Sequence, residues 1–210
     1  MHCDPHPANL MVRPHPTTNA PQLVLVDHGL YKTLPPAFRN DYCDLWIGIA
    51  LADIPEIKRV CLKMNAGKMF PLLAAMLTAR PFDEILDRQA AAYNSPHSPR
   101  VQQKQTKGDN SMIRQYAMRY MKEIAILLDS IPRELCLLLK MNDCLRHIDF
   151  ALGRPVNTLE VSALRANLGK LQFNKMRAAS LWQYFKSHYQ YYAALFRIKT
   201  MFWYLGRLAS

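Results

Sequence analysis

No acidic residue follows Glu160 in this 210-residue chain, although eight lysines and arginines do. The net charge of +11 is therefore weighted toward the C-terminus, which points to an anionic partner there: lipid, nucleic acid or an acidic protein. No stretch of 18 uncharged apolar residues is present, so the sequence offers no transmembrane helix. The N-terminus carries neither a basic-then-apolar secretory signal nor the Arg- and Ser-rich pattern of a transit peptide. Cys3, Cys43, Cys61, Cys136 and Cys144 include no C-x-x-C pair, and their odd number and scattered spacing fit reduced, buried thiols rather than a disulfide framework. No repeat of 20 to 50 residues is visible.

What is present is a large apolar fraction, 50% of the residues, enough for one core with room for a smaller subdomain. "NLMVR" and "QLVLVD" read as two short strands separated by the turn-rich "PHPTTNAP", a plausible antiparallel hairpin. From about residue 35 the pattern is helical. Phe38, Tyr42, Leu45, Trp46 and Ile49 fall on one face behind Pro36. Asp53 and Glu56 form a capping box ahead of Ile57, Val60, Cys61 and Met64. Further helices are expected near 69–79, 82–92, 112–128 and 131–152, the last with Ser130 as N-cap, a stripe through Leu135, Leu138, Leu145, Ile148 and Leu152, and Gly153 as the stop. Residues 94–111 read as a mobile loop, and 158–207 as one short and one long helix. The fold class expected is mostly α, with a hairpin that has no sheet of its own to join.

The chemistry concentrates in "MHCDPHPANLMV", residues 1–12. A zinc site using His2, Cys3 and His6, with His15 or His28, matches no trusted ligand spacing, and a proline-rich loop presents an i, i+4 His pair poorly. The alternative is H-x-D-x-x-x-x-N, with Asp4 and Asn9 just before a strand and Asp27-His28-Gly29 at the end of the returning strand. That layout suits phosphoryl transfer. Two metal ions must bridge the nucleotide phosphates, so a carboxylate and an amide oxygen must face each other across the hairpin, beside the carboxylate that receives the acceptor. Coincidence would produce the eight-residue pattern in roughly one chain in a hundred of this length, and the strand context and D-x-G make coincidence rarer still.

The wording "HCDPHPANLMV" followed by "LVDHGLY" resembles the aarF/UbiB family of atypical kinases, whose catalytic loop has the form H-x-D-P-H-P-G/A-N. The resemblance is tightest over residues 2–30 and closest to the mitochondrial aarF-domain kinases of animals. It implies a kinase-like C-lobe over residues 1–153, with Asp4 as catalytic aspartate and His6 where protein kinases carry the catalytic-loop lysine. It also implies Asn9 and Asp27 as Mg²⁺ ligands, ATP as nucleotide, and a protein or lipid acceptor in mitochondrial lipid, quinone or membrane homeostasis. Met1 directly precedes His2, and no Gly- or Ala-rich nucleotide loop, strand lysine or K-x-G-Q segment is seen. The expectation is a C-lobe lacking the N-lobe, binding ATP poorly by itself. A small-molecule kinase of the aminoglycoside or choline type shares H-x-D-x-x-x-x-N, but the Pro-His-Pro insert argues against it. A non-enzymatic fragment that binds a membrane or a protein stays open beside both.

Residues 154–210 form the expected basic, aromatic extension. Leu181, Phe185, His188, Tyr192, Leu195, Ile198, Phe202 and Leu205 recur at spacings of three and four. Trp182, Tyr189, Phe196 and Trp203 recur at seven and read as widening the same face. Such a helix is either core or, through its aromatics and cations, a seat on an anionic membrane surface over residues 181–208. Nucleic acid is the weaker alternative, because no recognised motif supports it.

Overall fold

A computed structural model describes residues 1–80, 121–153 and 156–208 of the chain. The helix expected at 82–92, the loop at 94–111 and the start of the helix at 112–128 lie outside the described residues. Within them the chain is mostly helical, with one two-stranded antiparallel sheet. Two compact units can be distinguished: Met1–Pro35 with Pro132–Val156, and Pro36–Ile131 with Asn157–Ser210.

In the first unit, β1 (Leu10–Pro14) pairs with β2 (Pro21–Leu25), with Leu10 opposite Leu25 and Pro14 opposite Pro21. Asn19, at φ 54°, turns the chain between them. This is a left-handed conformation that Asn tolerates better than most residues because its short side chain bonds locally. The same unit contains α5 (Arg133–Ala151), which buries Leu135, Leu138 and Leu139. Two details of α5 differ from expectation. Ser130 does not cap it: the Ser130 hydroxyl donates to the Leu127 carbonyl and closes the preceding helix, while Pro132, extended at ψ 149°, starts α5 without a side-chain cap. The apolar stripe also stops early, since Leu145 and Leu152 are exposed and only the first half of the helix faces a core. Gly153, at φ 81°, ends the helix as anticipated.

In the second unit, α1 (Pro36–Ala50) packs on α2 (Ile54–Lys63) and on α6 (Thr158–Arg177), and α6 packs on α7 (Leu181–Leu208). Asp53 Oδ1 accepts from the Glu56 amide at 3.2 Å, as the capping box requires, which leaves Ile57, Val60 and Cys61 facing inward. Leu45 and Ile49 of α1 meet them as fully buried side chains, each contributing about 1.5–3 kcal/mol by removal from water. Gly169 permits the close approach of α6: a Cβ there would lie 3.2 Å from Cys43 Sγ. α3 (Phe70–Thr78) buries Leu72, Leu73 and Leu77, and α4 (Met121–Ser130) buries Leu127.

The interface of α1 with α6 encloses one carboxylate, Asp44, whose Oδ1 accepts from the Lys170 ammonium and whose Oδ2 lies 3.4 Å from Arg59 Nη2. A buried charge is tolerated only when paired, and this one has two cations. Asn167, also buried, donates from Nδ2 to the Tyr191 carbonyl at 3.0 Å and ties α6 to α7.

The last two helices depart from the sequence reading. α6 runs for 20 residues rather than being short, and α7 for 28. On α7, Ser187, Ile198, Phe202 and Leu205 are buried. Trp182, Tyr189, Phe196 and Trp203 are 60–76% exposed, and Leu181, Phe185 and Tyr192 are exposed with them. The heptad aromatics therefore do not widen the packed face. At about 100° per residue, the packed stripe and the aromatic stripe have centres roughly 160° apart.

Candidate phosphotransfer site

All four residues singled out by the motif lie in the first unit, where the opening loop folds back along residues 27–32. The Met1 amine donates to the Lys32 carbonyl at 2.7 Å, Lys32 N returns a bond to the Met1 carbonyl at 3.0 Å, and Cys3 N donates to the Leu30 carbonyl at 2.9 Å. This short ladder runs beyond the hairpin and sets Asp4 beside the segment that carries Asp27.

Prolines shape the next stretch of the loop. His6 is extended at ψ 160° and Pro7 opens a single 3-10 turn, Pro7–Asn9, a position where its missing N–H costs nothing. Asn9 N donates to the His6 carbonyl at 3.0 Å, and the buried Asn9 side chain donates from Nδ2 to the Asp4 carbonyl at 3.2 Å. With Nδ2 so committed, the amide carbonyl Oδ1 is left as the accepting atom. Across the hairpin, Val26 N donates to the Asn9 carbonyl at 2.9 Å, so Asn9 and Asp27 sit at the same open end of the sheet. Asp27 Oδ1 accepts from Gly29 N at 2.9 Å, and Gly29 holds φ 40°, a left-handed value a side chain would strain.

His2 joins the two halves. Its Nδ1 accepts from Asp4 N at 3.2 Å, so the ring proton belongs on Nε2, which lies 3.2 Å from the Asp27 carbonyl and donates to it. The ring also lies against Tyr31, centroid to centroid 5.2 Å. One imidazole thus spans from the Asp4 backbone to the Asp27 backbone. His6 is not drawn into this network: it is half-buried, and its ring makes no hydrogen bond among the described residues.

Sequence reasoning missed Lys140. Its ammonium lies 3.2 Å from Asp4 Oδ1, and a second ion pair, Lys32 with Glu134 at 3.6 Å, joins the start of the same helix to the residues after β2. No local signal could have found it, because Lys140 is one exposed lysine on a long helix far along the chain. Cys144, one turn further on α5, has its thiol pushed up first by burial and then by the Asp4 charge.

The donor set at the open end is a carboxylate and an amide oxygen. These are hard oxygen ligands of the kind Mg²⁺ takes one or two of while keeping waters or phosphate oxygens, so the residues fit a magnesium–nucleotide complex. Among the described residues no three His, Cys, Asp or Glu side chains converge on one point. The second unit contains a separate cleft of about 290 Å³, lined among others by Asp44, Glu56, Asn167, Lys170 and Arg197, and none of the motif residues borders it.

Residues 1–61 match the family model described as the ABC1 atypical kinase-like domain. The chain is 38% identical over 186 residues to AarF domain-containing protein kinase 1 of Xenopus tropicalis, which covers 88% of this chain and 34% of that protein. It is 40% identical over 153 residues to the Mus musculus protein of the same name, covering 73% of this chain and 27% of that protein. AarF domain-containing kinase 1 of Drosophila melanogaster is 27% identical over 208 residues, with 91% and 38% covered. The chain spans about a third of the length of these curated relatives. No solved structure gives a significant match.

Proposed function

Because the chain belongs to the ABC1/AarF family of atypical kinase-like proteins, we propose that it is the C-terminal part of an ATP phosphotransferase, with residues 1–153 as its kinase-like C-lobe and 154–210 as a basic extension. Asp4 orients the acceptor hydroxyl and receives its proton as the phosphoryl group transfers. Asn9 Oδ1 and the Asp27 carboxylate would hold magnesium, which would supply neutralisation of charge on the ATP phosphates. His2 keeps the Asp4 and Asp27 segments in fixed register, so the proton acceptor and the metal ligands share one frame. His6, two residues after Asp4, holds the loop position where protein kinases carry the catalytic-loop lysine.

The observation that carries this reading is the drawing together of Asp4, Asn9 and Asp27 at one end of a hairpin by the side chains of His2 and Asn9. The acceptor in this reading is a protein or a lipid, the setting mitochondrial lipid, quinone or membrane homeostasis, and an anionic membrane surface a further partner of residues 181–208. We read the 210 residues alone as too little to turn over ATP, because no nucleotide loop, strand lysine or K-x-G-Q segment is seen in them. The test is magnesium-dependent binding of a fluorescent ATP analogue to the full-length protein that carries these residues. Binding should be lost in Asp27→Asn and retained in Asp4→Asn, with turnover lost in both. Unchanged binding in Asp27→Asn would remove the magnesium assignment.

A further inference from the structure

α7 has two apolar faces, and among the described residues only one of them is buried. Ile198, Phe202 and Leu205 are buried, and α7 packs on α6. The opposite side presents Trp182, Phe185, Tyr189, Tyr192, Phe196 and Trp203, each at least 60% exposed. A row of six large side chains along a helix of 28 residues, about 42 Å long, is far more than the scattered exposed apolar residues of an ordinary surface.

The chemistry of the row points to its occupant. It is aromatic rather than aliphatic, and Trp and Tyr combine an apolar ring with one polar edge, the combination favoured where hydrocarbon meets water. Lys186 and Lys199 are exposed on the same helix, and Arg207 lies with its guanidinium 4.4 Å from the Trp203 ring centroid. At the other end Lys175 of α6 sits 5.4 Å from the Tyr184 ring. No acidic residue occurs anywhere on α7 or in the last turns of α6 to oppose these cations. Among the described residues no helix is long and apolar enough to cross a membrane, so this face suits lying on a bilayer rather than spanning it.

We infer that α7 is an in-plane membrane anchor: its aromatic face lies at the headgroup level of an anionic bilayer, with Lys186 and Lys199 on the lipid phosphates, while its other face stays packed on α6. The inference does not depend on phosphotransfer, since it concerns residues of the second unit only. Co-sedimentation of the 210-residue chain with phosphatidylcholine vesicles, with and without phosphatidylglycerol, tests it. Binding should require the anionic lipid and weaken with added salt. Lys186→Gln with Lys199→Gln should lower the partition by roughly thirtyfold. Phe196→Gln with Trp203→Gln should abolish it with unchanged circular dichroism, because the residues replaced are exposed. Trp emission should shift to the blue with anionic vesicles, and the shift should vanish in Trp182→Phe with Trp203→Phe, which leaves Trp46 as an internal control. Equal recovery in the supernatant with both vesicles overturns the inference. So does a stable dimer in solution that Phe196→Gln dissociates, which would give the face to a second copy of the chain.

Discussion

The Lys140 ammonium, carried by α5, lies 3.2 Å from Oδ1 of Asp4 in the opening loop. Both side chains are well exposed, so the pair adds little to stability. Its effect is on position: it fixes one oxygen of the proposed proton acceptor and adds a positive charge where a phosphoryl group would arrive. Within the proposed reaction, Lys140→Met should lower kcat by about tenfold to a hundredfold, with KM for ATP changed little and Lys140→Arg restoring part of the loss. Steady-state kinetics on the full-length protein decide this. Unchanged kcat in Lys140→Met beside an inactive Asp4→Asn removes Lys140 alone. Activity in Asp4→Asn removes the site itself.

Asp44 is the buried carboxylate between α1 and α6. Asp44→Ala leaves Lys170 and Arg59 without their shared partner, but both cations reach water and are partly re-solvated. The expected loss is therefore about 2 kcal/mol, below the larger cost of orphaning a fully buried charge. Urea unfolding monitored by circular dichroism measures it, and a loss below about 0.5 kcal/mol would mean that the pair is not held in solution.

Glu56 sits one turn before Arg59, whose Nε donates to Glu56 Oε2 at 2.7 Å. That hydrogen bond, against some opposing desolvation, holds the carboxyl below its ordinary value. A depressed carboxyl contributes stability that is present above the unfolded-state value, about 4.5, and is lost as pH falls through the folded one. Thermal stability should accordingly decline on acidification below about pH 4.5. In Arg59→Met, the Glu56 side-chain resonances should titrate at higher pH than in the wild type. Identical titration curves would show that the pair makes no difference to Glu56.

Burial pushes the Cys61 thiol up to about 12, with no charged group contributing. At pH 8 only about one such thiol in ten thousand is ionised, and none is reachable from solvent. Iodoacetamide should therefore leave Cys61 unlabelled in the native protein and modify it only after denaturation, while the half-buried Cys136 labels first. Peptide mass spectrometry reports the order, and early labelling of Cys61 would mean that α2 opens from α1.

Local rules read from the sequence were sufficient wherever a few neighbouring residues determine the outcome. The hairpin, the Asp53 cap of α2, the core face of α1 and the stop at Gly153 all follow from turn chemistry, side-chain hydrogen bonds and periodicity within one or two turns. The motif spacing singled out Asp4, Asn9 and Asp27, and the loop and hairpin bring these three positions to one end of the sheet. Tertiary structure decided what local rules could not. Ser130 can serve either the helix before it or the one after, and packing gave its hydroxyl to Leu127. The two aromatic series of α7 both satisfy helical spacing, since a helix with apolar residues on two sides has no preferred inside until a neighbour covers one. Packing buries the Ile198–Phe202–Leu205 side, and Trp182, Tyr189, Phe196 and Trp203 are left exposed. Lys140 reaches Asp4 for the same kind of reason: an ion pair needs only two atoms close in space, and separation along the chain places no constraint on it.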